Sequence, residues 1–142
     1  MSLEPKDLYD AVGNNLRYYL DWRARLLTGY LTAIVGLAIA FSWAVAHHPR
    51  VAFLIPIVAA GLTVVIWLLD WRNRDAYRDC IAAGAALERT IAITDGVYGR
   101  FEVNSSRTRI AHSRTLNWMF GVSAACFLVA AVYLFWKDGQ LP

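Results

Sequence analysis

Three long runs without a charged side chain limit what this chain can fold into. They extend from Leu26 to Ala46, from Val51 to Leu69 and from Leu116 to Trp136. A helix rises about 1.5 Å per residue, so roughly 20 apolar residues cross the hydrocarbon core of a bilayer, which is about 30 Å thick. The sequence therefore predicts an all-α membrane protein with three transmembrane helices at residues 26–46, 51–69 and 116–136.

The overall composition points away from a soluble enzyme. Of the 142 residues, 58% are hydrophobic and 18% are charged, whereas soluble domains average about 45–50% apolar and about 25% charged residues. The length allows one domain and leaves no room for a separate catalytic module. We therefore expect a protein that is not an enzyme and needs no cofactor.

The distribution of lysine and arginine predicts the orientation in the membrane. Twelve of these residues lie in segments 1–25 and 70–115, and only two lie in the connection 47–50 and the tail 137–142. Positively charged segments remain on the cytoplasmic side. We expect a prokaryotic inner-membrane protein with its N-terminus in the cytoplasm and its C-terminus outside.

The cytoplasmic segments are predicted to form helical extensions. Residues 70–93 contain no proline and one glycine, Gly84, so the second span should continue as a rod. Apolar side chains recur every three or four residues in segment 1–25, which predicts an amphipathic helix. This helix is expected to pack antiparallel against the rod, with Gly84 allowing close approach; the alternative is that it lies flat on the membrane surface.

A turn is predicted near residues 95–104, from Asp95, Gly96 and Gly99. Ser105 or Ser106 is then expected to cap a helix that enters the third span. On the outer side, the four residues 47–50 predict a tight helical hairpin.

Histidine and cysteine residues give little sign of a metal site. His47 and His48 are adjacent and lack a third ligand nearby, so a polar turn is expected and no metal is predicted. Cys80 and Cys126 have no partner at a suggestive spacing and are expected to be small buried hydrophobic residues.

The spans contain no Asp, Glu, Lys, Arg or His, which counts against proton relays, voltage sensors and coupled transporters. Small or polar residues recur instead, and they allow close helix packing, either within the chain or between copies in a homo-oligomer. Any pore would have to be oligomeric and lined by uncharged residues. The candidates for a pore wall or interhelical packing are Thr32, Gly36, Ala40, Thr63, Asn117, Gly121 and Ala125.

The arginines before the third span allow three interpretations. Arg100, Arg107, Arg109 and Arg114 suit a membrane boundary with anionic lipid headgroups. They also suit docking of an anionic cytoplasmic signal such as a nucleic acid or nucleotide. In addition, Arg107 and His112 resemble the Arg-x(4–6)-His motif of HEPN ribonuclease domains, which would imply an acid or base at His112 and phosphate stabilisation by Arg107.

Residues 67–74, with the sequence WLLDWRNR, are followed by Ala86-Leu87-Glu88 and later by Ser113-Arg114 at the next span. This arrangement resembles small multi-span membrane proteins that accompany prokaryotic antiviral defence systems, including CRISPR-associated ones. The resemblance implies an oligomeric effector that perturbs the inner membrane, together with a defence-system protein as a partner.

Three functions remain open from the residues themselves. The leading hypothesis is a homo-oligomeric, pore-forming or depolarising effector whose partners are its own copies and membrane lipids. The first alternative is a membrane anchor or adaptor that recruits a cytoplasmic partner. The second alternative is a membrane-tethered ribonuclease that depends on Arg107 and His112.

Overall fold

The chain is helical throughout the residues that its structure, a computed structural model, describes, namely 4–93, 96–108 and 112–138. For residues 104–108, 112–114 and 138 the description covers the backbone alone. The described part contains no strand, which confirms the all-α class. In chain order the helices are α1 (Pro5–His47), α2 (Pro49–Ala52), α3 (Leu54–Thr90), α4 (Val97–Thr108) and α5 (His112–Asp138).

Three stretches of helix among the described residues are long and apolar enough to cross a membrane. They lie within Pro5–His47, Pro49–Thr90 and Thr115–Lys137. Large apolar side chains on these stretches are exposed, among them Ile39, Val58 and Val129. Exposed apolar surface on this scale suits contact with lipid.

The chain divides into two compact units. Unit 1 comprises Met1–Arg25 and Asp70–Arg114, and unit 2 comprises Leu26–Leu69 and Thr115–Pro142. Helices α1 and α3 therefore each contribute residues to both units.

A short break separates α1 from α3 in unit 2. His48 leaves the helical conformation, with φ −140° and ψ 60°, and Pro49 begins α2. Proline suits the first position of a helix because the backbone N–H that it lacks has no helical partner there. Contacts of Tyr30 with Thr63 show that α1 and α3 are neighbours across this break, as the four-residue connection predicts.

The core of unit 2 is small and aromatic. Tyr30, Ile66 and Phe120 are buried together. The rings of Tyr30 and Phe120 meet edge to face, with centroids 5.6 Å apart. This cluster joins α1, α3 and α5.

In unit 1, α1 and α3 pack antiparallel. Three pairs of residues connect them in reverse order along the chain: Tyr9 with Glu88, Tyr19 with Asn73, and Arg23 with Asp70. The predicted antiparallel pairing is therefore confirmed.

Helix α3 ends at Thr90, three residues before the predicted end of the rod at Ile93. The backbone N–H of Ile93 donates to the carbonyl of Glu88 at 2.9 Å, and that of Ala92 donates to Arg89 at 3.3 Å. These bonds form a Schellman cap with Ala92 at φ 59°. Turn prediction missed this end because glycine, not alanine, is the usual residue at that position.

The prediction for the segment after the rod needs correction. Helix α4 occupies Val97–Thr108, so Gly99, Ser105 and Ser106 lie within a helix, and neither serine begins the next one. Helix α5 begins at His112 instead. Helix α4 occupies the predicted turn because Glu88 of α3 accepts the backbone N–H groups at its start.

Candidate functional site

A buried carboxylate in unit 1 caps the start of α4. Glu88 is 2% exposed. Its Oε1 accepts the backbone N–H of Tyr98 at 3.0 Å, and its Oε2 accepts that of Gly99 at 2.8 Å. The hydroxyl of Tyr9 donates to Oε1 at 3.0 Å. The first backbone N–H groups of a helix have no helical acceptor and attract anions. Here the Glu88 carboxylate of the same chain fills that anion-binding position.

These hydrogen bonds decide the charge state of Glu88. Burial on its own would raise the pKa of this carboxyl. Hydrogen bonds from the backbone of Tyr98 and Gly99, from the Tyr9 hydroxyl and from the backbone of Val97 outweigh the burial and lower the pKa below its ordinary value. Glu88 is therefore ionised at neutral pH and has no role as a proton donor there.

The ring of Tyr98 lies in a slot that glycines form. A Cβ atom added to Gly84 of α3 would lie 2.5 Å from Cγ of Tyr98, and one added to Gly13 of α1 would lie 3.3 Å from its hydroxyl. Tyr9 meets the ring edge to face, with centroids 5.2 Å apart. The close approach predicted at Gly84 is therefore made by Tyr98 of α4 and not by the N-terminal helix.

Both tyrosines remain protonated in this setting. Burial, followed by the hydrogen bond and the negative charge of Glu88, raises the pKa of Tyr9. Burial and then the charge of Glu88 raise the pKa of Tyr98. The Tyr9 hydroxyl thus acts as a hydrogen-bond donor that holds α1 against α3 and α4.

A second polar cluster lies at the other end of the α1–α3 pair. The Asp70 side chain is fully buried, and its Oδ1 accepts Nε–H of Arg23 at 2.9 Å. Its Oδ2 lies 3.2 Å from Nε of Arg74, an ion pair without hydrogen-bond geometry. Nearby, the Asn73 side chain donates to the backbone carbonyl of Tyr19 at 3.2 Å. A buried carboxylate requires such partners, because losing its water shell is costly.

In unit 2, two of the predicted small or polar residues hold the helices together. The Thr63 hydroxyl donates to the carbonyl of Ala59 at 2.7 Å, so the Tyr30 hydroxyl, 3.1 Å from Thr63 Oγ1, is the donor of that pair. Nε1 of Trp67 donates to Oδ1 of Asn117 at 3.1 Å. Thr63 and Asn117 therefore make interhelical contacts within the chain.

The other small residues are not used in this way. Thr32, Gly36 and Ala40 are exposed on α1, and no other side chain lies within 4 Å of a Cβ added to Gly36. Gly121 of α5 is likewise open, and Ala125 is exposed. Packing within the chain therefore leaves this set of small residues available on the surface of unit 2.

In the arginine-rich segment 100–114, the structure describes the side chains of residues 100–103 only. Arg100 is exposed on α4. Arg107 lies in α4, and His112 and Arg114 lie in α5, with their side chains outside the described residues; Arg109 lies outside them entirely. The Arg107–His112 ribonuclease interpretation remains a prediction, tested by RNA cleavage with purified His112→Ala.

Metal-ligating side chains do not cluster among the described residues, where no group of three His, Cys, Asp or Glu could hold an ion. His47 Nδ1 lies 2.9 Å from the Trp43 carbonyl, and its ring stacks on Trp43. Cys80 is half-buried, and burial followed by the charge of Asp79 raises the pKa of its thiol. Cys126 is exposed, so its predicted burial is wrong.

Comparison with protein families, with curated proteins and with solved structures gives no match to this chain.

Glu88, Tyr98 and Asp70 were not predicted as site residues. One signal was available for Glu88: it lies four residues after Gly84 and seven after Ile81, on the apolar side of an otherwise polar rod. A carboxylate at such a position must find buried donors. Apart from the Tyr9 hydroxyl, those donors are backbone N–H groups, which have no sequence signature.

Proposed function

We propose that this chain is a membrane-anchored helical adaptor, held in the inner membrane by three helices and recruiting a cytoplasmic partner protein through unit 1. The observation that carries this proposal is that unit 1 is a packed body of its own. Glu88, Tyr9 and Tyr98 join its three helices at one end, and Asp70 joins two of them at the other. An extension that served only as a membrane boundary would need no such interior.

The surface of unit 1 also supports recruitment of a protein. Around the end of α3 and along α4, Ile91, Ile93, Val97 and Phe101 expose 39%, 45%, 55% and 46% of their surface. Pro5 and Tyr9 line a pocket together with Ile91 and Ile93. Apolar side chains grouped on a surface outside the apolar runs are typical of a protein-binding surface.

A photo-crosslinking residue placed at Ile93 tests this proposal in cells. We expect a crosslink to one discrete protein, lost when Val97 is changed to Asp, while the same probe at Arg78 on the exposed side of α3 gives none. Crosslinks to no protein would contradict recruitment. Crosslinks only to further copies of the chain would favour the second candidate below.

The second candidate is an oligomeric, pore-forming or depolarising effector. It is supported by the exposed small residues of α1 and by the open surface at Gly121. Engagement of Thr63 and Asn117 within the chain removes two polar groups from a pore wall. The antiviral setting of this candidate rests on the sequence resemblance alone.

Stoichiometry separates the two candidates. A closed ring of four or more copies with ion flux in proteoliposomes favours the pore, whereas a monomer or dimer without flux favours the adaptor. Alkaline phosphatase fused to the C-terminus tests the orientation in either case, because the enzyme is active only outside the cytoplasm.

A further inference from the structure

The Asp70 cluster presents a guanidinium edge that donates no hydrogen bond to the described residues. Arg23 contacts Asp70 through Nε, and its side chain is 24% exposed. Among the described residues, no acceptor forms a hydrogen bond with its two terminal nitrogens. These two nitrogens carry four N–H donors in a planar arrangement that matches the oxygens of a phosphate.

Asp70 fixes the direction of that edge. Its buried carboxylate holds Nε of Arg23 at 2.9 Å and Nε of Arg74 at 3.2 Å. An arginine held by Nε on one side loses much of its rotamer freedom, so less entropy is lost when its other side binds an anion. Asp70 is therefore a positioning residue, and Arg23 supplies the donors.

The charge around the cluster favours an anion. Segments 21–25 and 70–74 together contain four arginines and two aspartates. Two of these four arginines, Arg25 and Arg72, are exposed. The local excess of positive charge attracts a phosphate group before any hydrogen bond forms.

Tryptophans next to the cluster indicate where the anion comes from. Trp22 precedes Arg23 and is 43% exposed, and Trp71 follows Asp70 and is 58% exposed. The uncharged runs begin at Leu26 and end at Leu69, within four residues of these side chains. Tryptophan beside arginine at the end of an apolar run is typical of the headgroup region of a bilayer.

We propose that Arg23, positioned by Asp70, binds the phosphate of an anionic phospholipid in the leaflet that faces unit 1. The inference rests on the proposed membrane insertion and extends it, since it assigns a particular lipid chemistry to a particular side chain. It does not depend on the arginines of segment 100–114.

The test uses the full chain in nanodiscs of phosphatidylcholine with a small fraction of brominated lipid that quenches tryptophan fluorescence. Brominated phosphatidylglycerol is compared with brominated phosphatidylcholine. Both lipids carry a phosphodiester, but the choline of phosphatidylcholine neutralises its charge. Binding of Arg23 to an uncompensated phosphate therefore predicts about a tenfold preference for the anionic lipid. Arg23→Gln should abolish the preference, so that the two lipids quench equally. Arg78→Gln is the control: it removes an exposed ion pair with Asp75 on α3 and should retain the preference.

A second variant guards against a folding failure, because Arg23→Gln removes a partner from buried Asp70. Arg23→Lys keeps the charge for Asp70 but has no second edge, so it should also lose most of the preference. Full preference in Arg23→Lys, or equal quenching by the two lipids in the unaltered protein, would overturn the inference. Quenching relieved by inorganic phosphate would assign the site to a free anion and also overturn it.

The outcome is distinguishable from failure of the membrane proposal. A chain that does not enter nanodiscs at all contradicts insertion and this inference together. A chain that enters them and shows no lipid preference contradicts this inference alone.

Discussion

The Glu88 carboxylate lies 2.8 Å from the backbone nitrogen of Gly99, so a side chain of α3 closes the N-terminus of α4. Helix capping by a side chain from another helix replaces the usual cap by a neighbouring Ser, Thr, Asp or Asn. It also makes the position of α4 dependent on α3. The stability of unit 1 should accordingly be sensitive to changes at this contact.

Replacing Glu88 by Gln is expected to destabilise the protein by about 1–3 kcal/mol. Glutamine keeps the shape, but its NH₂ group faces the N–H groups of the helix and leaves at least one of them without an acceptor. Glu102→Gln is the matched control, because Glu102 contributes an exposed ion pair with Arg89 on the same two helices. Thermal unfolding of both variants in detergent gives the comparison; equal losses would contradict the capping role.

The pH dependence of stability follows from the lowered pKa of Glu88. Since the folded pKa lies below the unfolded value of about 4.3, the contribution of this carboxylate is complete above that value and is lost as the pH falls through the folded pKa. The stability difference between the unaltered protein and Glu88→Gln should therefore be constant near neutrality and shrink in acid. Unfolding midpoints measured at several pH values between 7 and 3 test this. A stability difference that grows in acid would contradict the lowered pKa of Glu88.

Gly84→Ala should destabilise unit 1 by about 1–3 kcal/mol, a typical cost of overpacking. The added methyl group would lie 2.5 Å from the ring of Tyr98, which Gly13 confines from the other side. Gly61→Ala is the control, because no neighbouring side chain lies within 4 Å of that position and alanine favours helix formation there. In thermal unfolding we expect a lower midpoint for Gly84→Ala and a higher one for Gly61→Ala. An unchanged midpoint for Gly84→Ala would show that Tyr98 can move aside.

The cap at the end of α3 predicts a second pair of substitutions with opposite effects on stability. Ala92 adopts φ 59°, a conformation that costs alanine about 1 kcal/mol and glycine almost nothing. Ala92→Gly should therefore stabilise the protein, whereas Ala86→Gly, at an exposed position inside α3, should destabilise it by about 1 kcal/mol. Unfolding midpoints of the two variants decide the matter, and a destabilised Ala92→Gly would contradict the left-handed conformation.

Helix class and helix pairing could be predicted from the sequence because both follow from the spacing of apolar residues. The runs beginning at Leu26, Val51 and Leu116 predict three apolar helices, and the recurrence of apolar side chains in segment 1–25 predicts its packing on α3. Such patterns are local and repeated. Their signal therefore survives without knowledge of the three-dimensional structure.

The contacts at the ends of helices could not be predicted in this way. Glu88 is separated from Gly99 by 11 residues and from Tyr9 by 79, and Asp70 is separated from Arg23 by 47. Each pairing depends on which helix faces align, and three of the four donors to Glu88 belong to the backbone. A local rule predicts a turn near residues 95–104 for this reason, although α4 already begins at Val97 with a cap that comes from α3.

The exposed small residues of α1 give a prediction for self-association. Gly36→Leu and Ala40→Leu should abolish oligomers held together through this face, since leucine prevents the close approach of helix backbones that small residues allow. The fold should tolerate both changes, because Gly36 has no side chain within 4 Å and Ala40 is exposed. Gly61→Leu, at an equally open position on α3, serves as the control. Native mass spectrometry in detergent should show smaller assemblies for the two α1 variants alone; an unchanged copy number would remove this face from the pore candidate and favour the adaptor.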